Sequence, residues 1–391
     1  MRLFRKIQLL TFIFLLVSLQ LYASDSLLMS QLLNRIDQLQ CKQNGVFPKG
    51  LFPTYRMYAL NKDRQKADVN IFFTGLIAFT LEDIQPQLTI SQQNSSKQII
   101  ANTLPVYAKF KNQKGKSIYN FWPTDTPQIF PNSGWMNIFN KSQALPDDLD
   151  DTVIMLLAQN ASVATAKQVH DLMQSFINTG NKKINNTFKD YQELGAYSTW
   201  FGVKMPVDFD ICVLTNILYF VQKYNLTWTA ADTASLQLIE KVLIDKKHVT
   251  DAAYISPHYG KLPIILYHIS RLMSLKPLLQ LENFKQQLIN EAKTALANTS
   301  NFMDQVILST SLMRWGVKPP DAKVLRTSSL LDLIENESFY FCNANIANMM
   351  PNPLKQWITG AGLGMFYYYC PAYNNLLLLE NLAWRKKRNL N

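Results

Sequence analysis

The sequence PDDLDDTVIMLLA at residues 146–158 places four aspartates directly before an apolar, helix-forming run. The four are Asp147, Asp148, Asp150 and Asp151. A helix dipole favours acidic side chains at the helix N-terminus, and one aspartate there makes a good N-cap. One or two acids satisfy that role, whereas four crowd like charges together and raise the pKa of at least one carboxyl. The stretch therefore predicts the start of a buried helix and a candidate acid site.

Helical periodicity recurs along the chain, and strands are hard to find in the sequence. Six segments are amphipathic with charge on one face: Ser26–Leu39, Ser95–Leu104, Ala164–Ile177, Ala230–Ile244, Asn283–Ala297 and Asp321–Glu335. Six others are apolar nearly all round: Asn70–Leu81, Asp150–Ala158, Ile211–Val221, Leu262–Met273, Phe302–Met313 and Ala372–Leu382. A helix with a polar stripe faces solvent on one side, whereas a helix that is apolar all round is enclosed.

This alternation predicts an all-α fold and, within that class, an (α/α)6 toroid, in which six outer helices surround six inner ones. A plain helical solenoid is the structural alternative, and no sequence repeat separates the two. Aromatic and proline-rich segments before the inner helices favour the toroid, because functional loops collect at one end of such a barrel. We predict that residues 24–391 form a single domain of this type.

Aromatic and polar residues precede several of the predicted inner helices. If those helices all begin at the same end of the fold, the side chains before them converge on one opening. We expect them to line a binding site there. The candidates for substrate binding are Tyr119, Trp122, Trp200, Asp210, His258 and Tyr259.

The first 23 residues resemble a secretory signal sequence. A basic start with Arg2, Arg5 and Lys6 precedes an apolar run from Leu9 to Leu19. That run is short for a membrane-spanning helix, which needs about 20 residues. The pattern predicts export by a cleaved signal peptide to the periplasm or the medium, with a retained membrane anchor as the alternative. No later segment is apolar over a sufficient length to span a bilayer, so we expect the mature chain to be soluble or peripheral.

The chain is basic, with 39 Lys and Arg against 28 Asp and Glu. A diffuse positive surplus suits an anionic partner such as a membrane surface or an acidic glycan, so peripheral membrane contact is one expectation. Nucleic acid is not expected, since no basic helix or nucleic-acid-binding motif is present. No CxxC or HExxH spacing indicates a metal site, and no cofactor is predicted. The four cysteines allow three disulfide pairings, and their spacing selects none.

Residues 148–158, DLDDTVIMLLA, resemble the DxDDTA signature of class II terpene cyclases. These enzymes belong to the terpenoid cyclase and prenyltransferase superfamily of α/α toroids, which includes squalene–hopene cyclase, and their signature begins an inner helix. The resemblance implies that Asp150 is the general acid that protonates an alkene or epoxide. It also implies that Asp148 and Asp151 polarise this acid. Because a histidine lies close to the acid in squalene–hopene cyclase, His258 is the candidate for that position in this chain.

Proton-initiated cyclisation has physical requirements that this composition can meet. An alkene is a very weak base, so its acid must be held protonated, and crowded carboxylates in an apolar pocket supply that condition. The resulting carbocation needs a dry cavity lined by aromatic faces. The resemblance therefore implies a cyclase, an isomerase acting on an isoprenoid or another lipid.

Two other classes of function are open from the sequence. Exported (α/α)6 toroids include glycoside hydrolases and polysaccharide lyases, and an inverting glycosidase needs two carboxyl groups roughly 6.5–9.5 Å apart. Asp150 or Asp151 facing Asp208 or Asp210 across the opening would meet that need. The third class is a non-catalytic toroid that binds a lipid, peptide or glycan. A deep aromatic cavity favours the isoprenoid, and an open groove with carboxylates on opposite sides favours the glycan.

Overall fold

The chain folds, in a computed structural model, mostly into α-helices together with a small antiparallel sheet. The structure describes residues 25–126, 128–129, 145–179, 183–202, 205–320, 329–359 and 361–389, with backbone alone at 62–64 and 389. The predicted signal sequence and the first part of the predicted helix Asp321–Glu335 lie outside these residues.

In chain order, the described residues contain the helices α1 (25–39), α2 (Phe72–Asp83), α3 (Ile90–Thr103), α4 (Leu149–Ala158), α5 (Val163–Met173), α6 (Ile211–Lys223), α7 (Ala230–Ile244), α8 (Lys247–Thr250), α9 (Ala252–Ile255), α10 (Leu262–Leu275), α11 (Leu279–Glu282), α12 (Lys285–Asn298), α13 (Phe302–Arg314), α14 (Leu330–Ile334), α15 (Leu354–Ile358) and α16 (Pro371–Asn389). Short 3-10 turns occupy Gln85–Gln87, Leu104–Phe110, Lys189–Tyr191 and Ile346–Met349.

All six predicted apolar helices are present, as α2, α4, α6, α10, α13 and α16. Of the amphipathic segments, five are helical as predicted, and the described part of the sixth contains α14. Among the predicted helices whose starts are described, the largest difference is in α3, which begins at Ile90 instead of Ser95. Thr89 and Gln92 form a capping box there, which satisfies the free amides of the first turn.

The expectation of an all-α fold is wrong in one respect, because four short strands form a sheet. They are β1 (Tyr55–Tyr58), β2 (Asn61–Ala67), β3 (Cys342–Asn345) and β4 (Met365–Tyr369), in the order β2-β1-β4-β3. All neighbouring strands pair antiparallel. Local sequence hardly indicates β2 and β3, because both are polar and lack the branched and aromatic residues that favour strands. Pairing with distant segments holds them in the sheet.

The six apolar helices pack against one another in chain order. Each contacts the next, from α2 to α4, α6, α10, α13 and α16, and α16 contacts α2. Helices α3, α7 and α12 pack against α2, α6 and α13, respectively. Helix α4 approaches α2 closely at Gly75, where a Cβ atom would overlap the Met155 Cε atom. Glycine at this position therefore lets the helix with the aspartates pack tightly against its neighbour.

A buried ion pair joins three of these helices. Arg314 of α13 binds the Glu380 carboxylate of α16, and the Tyr267 hydroxyl of α10 donates to the same carboxylate over 2.7 Å. The Arg314 guanidinium also donates to the Tyr267 carbonyl over 3.2 Å. Burying charges is costly unless they are paired and hydrogen-bonded, and this cluster meets both conditions while linking α10, α13 and α16.

Two further features concern predictions made from composition. The four cysteines form no disulfide. Among the described residues, no helix is both long and apolar enough to cross a membrane. The prediction of a single domain stays a prediction.

Candidate functional site

A cavity of about 730 Å³ lies at the N-terminal end of α4. Its volume falls within the range of small-molecule sites, roughly 300–1,000 Å³. Three carboxylates line it, those of Asp148, Asp150 and Asp151. Six aromatic residues also line it: Phe72, Phe121, Trp122, Trp200, Tyr259 and Tyr368. The structure therefore brings the acidic stretch and an aromatic wall together.

The start of α4 is fixed by its backbone as well as by its cap. Asp148 is the N-cap, and its carboxylate accepts the Asp151 amide N–H over 2.6 Å. The Asp148 amide donates to the Tyr119 carbonyl over 3.2 Å, and the Leu149 amide donates to the Thr199 carbonyl over 2.8 Å. Two separate segments thus hold the helix start between them, which sets the direction of the acidic side chains.

Asp147 differs from the other three aspartates. Its carboxylate accepts the side-chain amides of Asn112 over 2.6 Å and Asn120 over 3.4 Å. It is not among the cavity-lining residues. The fourth aspartate of the stretch is therefore a structural residue outside the cavity, although its charge also contributes to the raised pKa of Asp151.

Asp150 is held by two donors from other parts of the chain. Its Oδ1 atom accepts the Asn216 side-chain amide over 2.7 Å, and its Oδ2 atom accepts the Tyr259 hydroxyl. Asn216 lies in the middle of α6, and Tyr259 lies just before α10. These contacts single out Asp150, because neither Asp148 nor Asp151 has a comparable pair of side-chain donors among the described residues.

Arg271 of α10 determines the orientation of Asn216. The Arg271 guanidinium donates to the Asn216 Oδ1 atom. Arginine has donors but no acceptor, so the amide oxygen of Asn216 must face it and the NH₂ group must face Asp150. It follows that Asp150 Oδ1 accepts a hydrogen bond in either protonation state. A proton on this carboxyl belongs on Oδ2, beside Tyr259.

Burial raises the pKa of all three cavity carboxyls. The pKa of Asp148 is raised to about 7, chiefly because burial disfavours its charged form. Burial, and then the charge of Asp148, raise the pKa of Asp151 well above its usual value. Burial also raises the pKa of Asp150, although the donors Asn216 and Tyr259 oppose this by stabilising the carboxylate. The cluster can therefore hold a proton near neutral pH.

Asp210 is a structural residue instead of the predicted substrate contact. It is the N-cap of α6, and its carboxylate accepts the Cys212 amide over 2.8 Å and the Ser256 hydroxyl over 2.6 Å. It also accepts the His258 amide over 2.7 Å. With its acceptor sites occupied, Asp210 does not line the cavity. It fixes the segment that carries His258 and Tyr259.

His258 lines the cavity, and among the described residues it forms no hydrogen bond with Asp150. Its Nε2 atom lies 3.3 Å from an Asp208 carboxylate oxygen, and Asp208 in turn lies 3.4 Å from the Lys355 Nζ atom. Burial lowers the pKa of His258, but Asp208 and Asp210 outweigh that effect and raise it. Burial would likewise raise the pKa of Asp208, yet Lys355 and His258 together lower it. Tyr259, the next residue, donates the hydrogen bond to Asp150, while the charge of His258 lowers the pKa of Asp150 and of Asp148. The predicted role of His258 stays a prediction.

The remaining predicted aromatic residues divide into two groups. Trp122, Trp200 and Tyr259 line the cavity as predicted. Trp122 is also anchored, because its indole N–H donates to Asp68 over 2.9 Å. Tyr119 is not among the described lining residues; its hydroxyl accepts the Gln159 side-chain amide over 3.0 Å, and its backbone holds Asp148. Its predicted contact with the substrate is not supported.

Several site residues were not predicted from the sequence. Asn216 and Arg271 are an amide and a charged residue inside helices that are largely apolar, and a strongly polar group in such a helix is the signal that could have identified them. Asn343, Asn345 and Asn348 line the cavity from β3 and the turn after it, and no local pattern indicated them. The chain matches no family model, no characterised protein and no solved structure.

The raised pKa values make a prediction about stability. A carboxyl whose pKa is raised by folding contributes its full stability below the unfolded pKa, and this contribution is lost as pH rises through the folded pKa. For Asp148 that window runs from 3.8 to about 7. We expect Asp151→Asn, which removes one of the buried charges, to reduce the fall in the free energy of unfolding across this window. Urea unfolding at a series of pH values measures the effect.

Asp147→Asn is the matched control for this measurement. It lies in the same acidic stretch but outside the cavity, and its charge is only the last-ranked cause of the raised pKa of Asp151. It should therefore reduce the dependence on pH much less than Asp151→Asn does. An unchanged pH dependence in Asp151→Asn would contradict the proposed protonation of the cluster.

Proposed function

We propose that the six apolar helices are the inner ring of an (α/α)6 toroid. The support is their order of contact: each packs against the next in the chain, and α16 packs against α2. In a solenoid each repeat contacts its neighbours alone, so the first and last helices stay apart. The packing of α3, α7 and α12 against members of this set agrees with an outer layer.

We propose that the protein is a class II terpene cyclase-like enzyme, an isomerase that protonates an isoprenoid and cyclises it. One observation carries this proposal: three buried carboxyl groups with raised pKa values line the same cavity of about 730 Å³ as six aromatic residues. A carboxyl that is protonated, dry and next to an apolar ligand is the acid that a weak base such as an alkene requires.

In this proposal Asp150 is the general acid. Its proton on Oδ2 is transferred to one carbon of a terminal alkene, or to an epoxide oxygen, which leaves a carboxylate and a carbocation. The next double bond attacks the cationic carbon and closes a ring. Loss of a proton from the last cation ends the sequence, so an alkene substrate and its product are isomers. Asn216 and Tyr259 then stabilise the Asp150 carboxylate by the hydrogen bonds that they donate to it.

Asp148 and Asp151 have a different role from Asp150. Their raised pKa values keep a proton in the cluster. In this proposal they also polarise Asp150. The neighbouring charges that shift the pKa of Asp150 are those of Asp210, which raises it, and His258, which lowers it. Phe72, Trp122 and Trp200 line the cavity, and in this proposal their rings offer cation–π stabilisation to the carbocation.

The glycan-active alternative has less support. It needs a second carboxylate across the cavity from the acid. All three lining carboxylates belong to the start of α4. Asp208 and Asp210 do not line the cavity, and both are bound to other side chains. A non-catalytic lipid-binding protein would have the same cavity, and turnover separates it from the enzyme.

We propose a membrane surface as the source of the lipid substrate. Ile346 and Met349 line the cavity and are also exposed, by 38% and 49%. The turn that contains them packs against α15, and Trp357 of α15 is 71% exposed. The exposed Leu363 precedes Gly364, which lies against Ile346. An apolar rim at the entrance of an apolar cavity suits the transfer of a lipid from a bilayer.

The acid role predicts the effect of Asp150→Asn. The variant keeps the size and hydrogen-bonding capacity of the side chain but cannot donate a carboxyl proton. We expect turnover of polyprenyl substrates to fall by at least about 100-fold, the usual contribution of a general acid. Product analysis after incubation of the purified protein with a panel of polyprenyl compounds provides the measurement.

Asp147→Asn is again the control, and it should keep most of the wild-type turnover. Turnover that survives in Asp150→Asn would remove the assigned acid. Cleavage of an oligosaccharide panel, without turnover of any polyprenyl compound, would instead favour the glycan-active class.

The rim predicts vesicle binding that depends on Trp357. If Trp357 inserts into the bilayer, its removal loses the free energy gained by transferring its apolar surface from water to lipid. We expect Trp357→Ser to reduce the fraction of protein that floats with phospholipid vesicles by at least about fivefold. Ile90→Ser on α3, which removes a side chain that is 79% exposed, is the control and should float like the wild type. Equal flotation of Trp357→Ser and wild type would contradict the proposed contact.

A further inference from the structure

The cavity has a second polar wall, built by β3 and the turn Ile346–Met349 that follows it. Three side-chain amides lie on this wall, those of Asn343, Asn345 and Asn348. The proposed cyclisation gives them no role.

Two of the three amides have structural partners. The Asn343 side-chain amide donates to the Pro257 carbonyl over 2.6 Å, which holds β3 against the segment of His258. The Asn345 side-chain oxygen accepts the Ala347 amide over 2.9 Å and starts the turn. These contacts fix the position of the wall and of Asn348, which follows in the turn.

Asn348 has no such partners. Its side-chain oxygen and nitrogen are both buried, and neither has a hydrogen-bond partner among the described residues. The residue is 6% exposed and lines the cavity. A buried polar group without a partner costs roughly 1–3 kcal/mol, so a ligand that hydrogen-bonds to it gains affinity.

The charges around the cavity restrict what that ligand can be. Among the described lining residues there is no lysine or arginine, and His258 is the one that can carry positive charge. His258 is already paired with Asp208. Lys355, behind it, is paired with the same carboxylate. Among the described residues a diphosphate would therefore find no free counter-cation, and it would lie beside three carboxyl groups, which is strongly unfavourable.

The spacing of the two polar regions suits an elongated ligand. Cys342, at the start of β3, lines the same cavity as Asp150 and Asp151. After burial, the charges of these two aspartates have the largest effects in raising the pKa of its thiol, which agrees with their being close. Asn345, three residues further, is about 10 Å along the strand, and Asn348 follows in the turn. The acids and the unpaired amide are thus near different ends of β3.

We propose that the cavity binds an uncharged isoprenoid that carries a hydroxyl group at one end, with this oxygen at Asn348 and the alkene end at Asp150. The assignment of the alkene end rests on the proposed cyclase function. The assignment of the oxygen end, and the exclusion of prenyl diphosphates, rest on the amide wall and the charges.

Binding of three ligands with one carbon chain tests the proposal. The probes are geranylgeraniol, geranylgeranyl diphosphate and the hydrocarbon in which hydrogen replaces the hydroxyl group. Titration calorimetry with Asp150→Asn prevents turnover during the measurement. We expect the alcohol to bind about three- to tenfold more tightly than the hydrocarbon, because that is the gain in affinity that one hydrogen bond typically gives. The diphosphate should bind at least about tenfold more weakly than the alcohol.

The Asn348→Ala change, made in the same background, should remove the preference for the alcohol over the hydrocarbon. Asn290→Ala on the exposed side of α12 is the control for loss of an amide and should keep that preference. If Asn348→Ala does not fold, as judged by circular dichroism, the ligand series in the parent protein decides alone.

Diphosphate binding equal to or tighter than that of the alcohol would overturn the proposal, and so would an alcohol preference that persists in folded Asn348→Ala. Neither result depends on catalysis. Selective alcohol binding without any cyclised product from the wild-type protein would leave this inference standing and would count against the cyclase function.

Discussion

Three carboxylates, those of Asp148, Asp150 and Asp151, are buried together at the start of one helix. Removing a carboxylate from water is costly unless it is paired, and Lys or Arg side chains do not pair with these three among the described residues. The helix dipole, the N-cap contact and the donors Asn216 and Tyr259 offset part of the cost. The remaining cost is expressed as raised pKa values, so the cluster retains a proton that exposed aspartates would lose.

Much of the surrounding structure serves to position these groups. Arg271 orients Asn216, and Asn216 orients the Asp150 carboxyl. Asp210 holds the segment that delivers Tyr259 to the same carboxyl. Thus two aspartates at helix starts have opposite roles. The carboxylate of Asp210 is occupied by donors and is structural, whereas that of Asp150 keeps access to the cavity.

The helices could be predicted from the sequence because their information is local. Each of these helices has a largely hydrophobic sequence over its central turns, and caps such as Asp148 and Asp210 fix where α4 and α6 begin. The sheet could not be predicted, because β1 pairs with β4 from near the other end of the chain and β3 is polar. Its pairing energy depends on the finished fold, which no window of sequence contains.

The site could be predicted in part for the same reason. Asp148, Asp150 and Asp151 were identifiable because their crowding is visible in the sequence. Tyr259 was correctly placed in the cavity, but its hydrogen bond to Asp150 depends on the backbone contact between His258 and Asp210. The roles of Asn216 and Arg271 depend on the packing of α6 against α10, and the amide wall depends on the sheet.

The protonation of the cluster is most directly measured by carbon-13 NMR of protein labelled at the aspartate carboxyl carbons, with signals assigned by Asn substitution. The carboxyl of Asp151 should remain protonated at pH values at which an exposed aspartate is fully ionised, and Asp148 should titrate with a pKa of about 7. If all three cavity carboxyls are already ionised at the pH at which exposed aspartates have lost their protons, their pKa values are not raised and the account is contradicted. Asp150 would then lack the environment that protonation of an alkene requires.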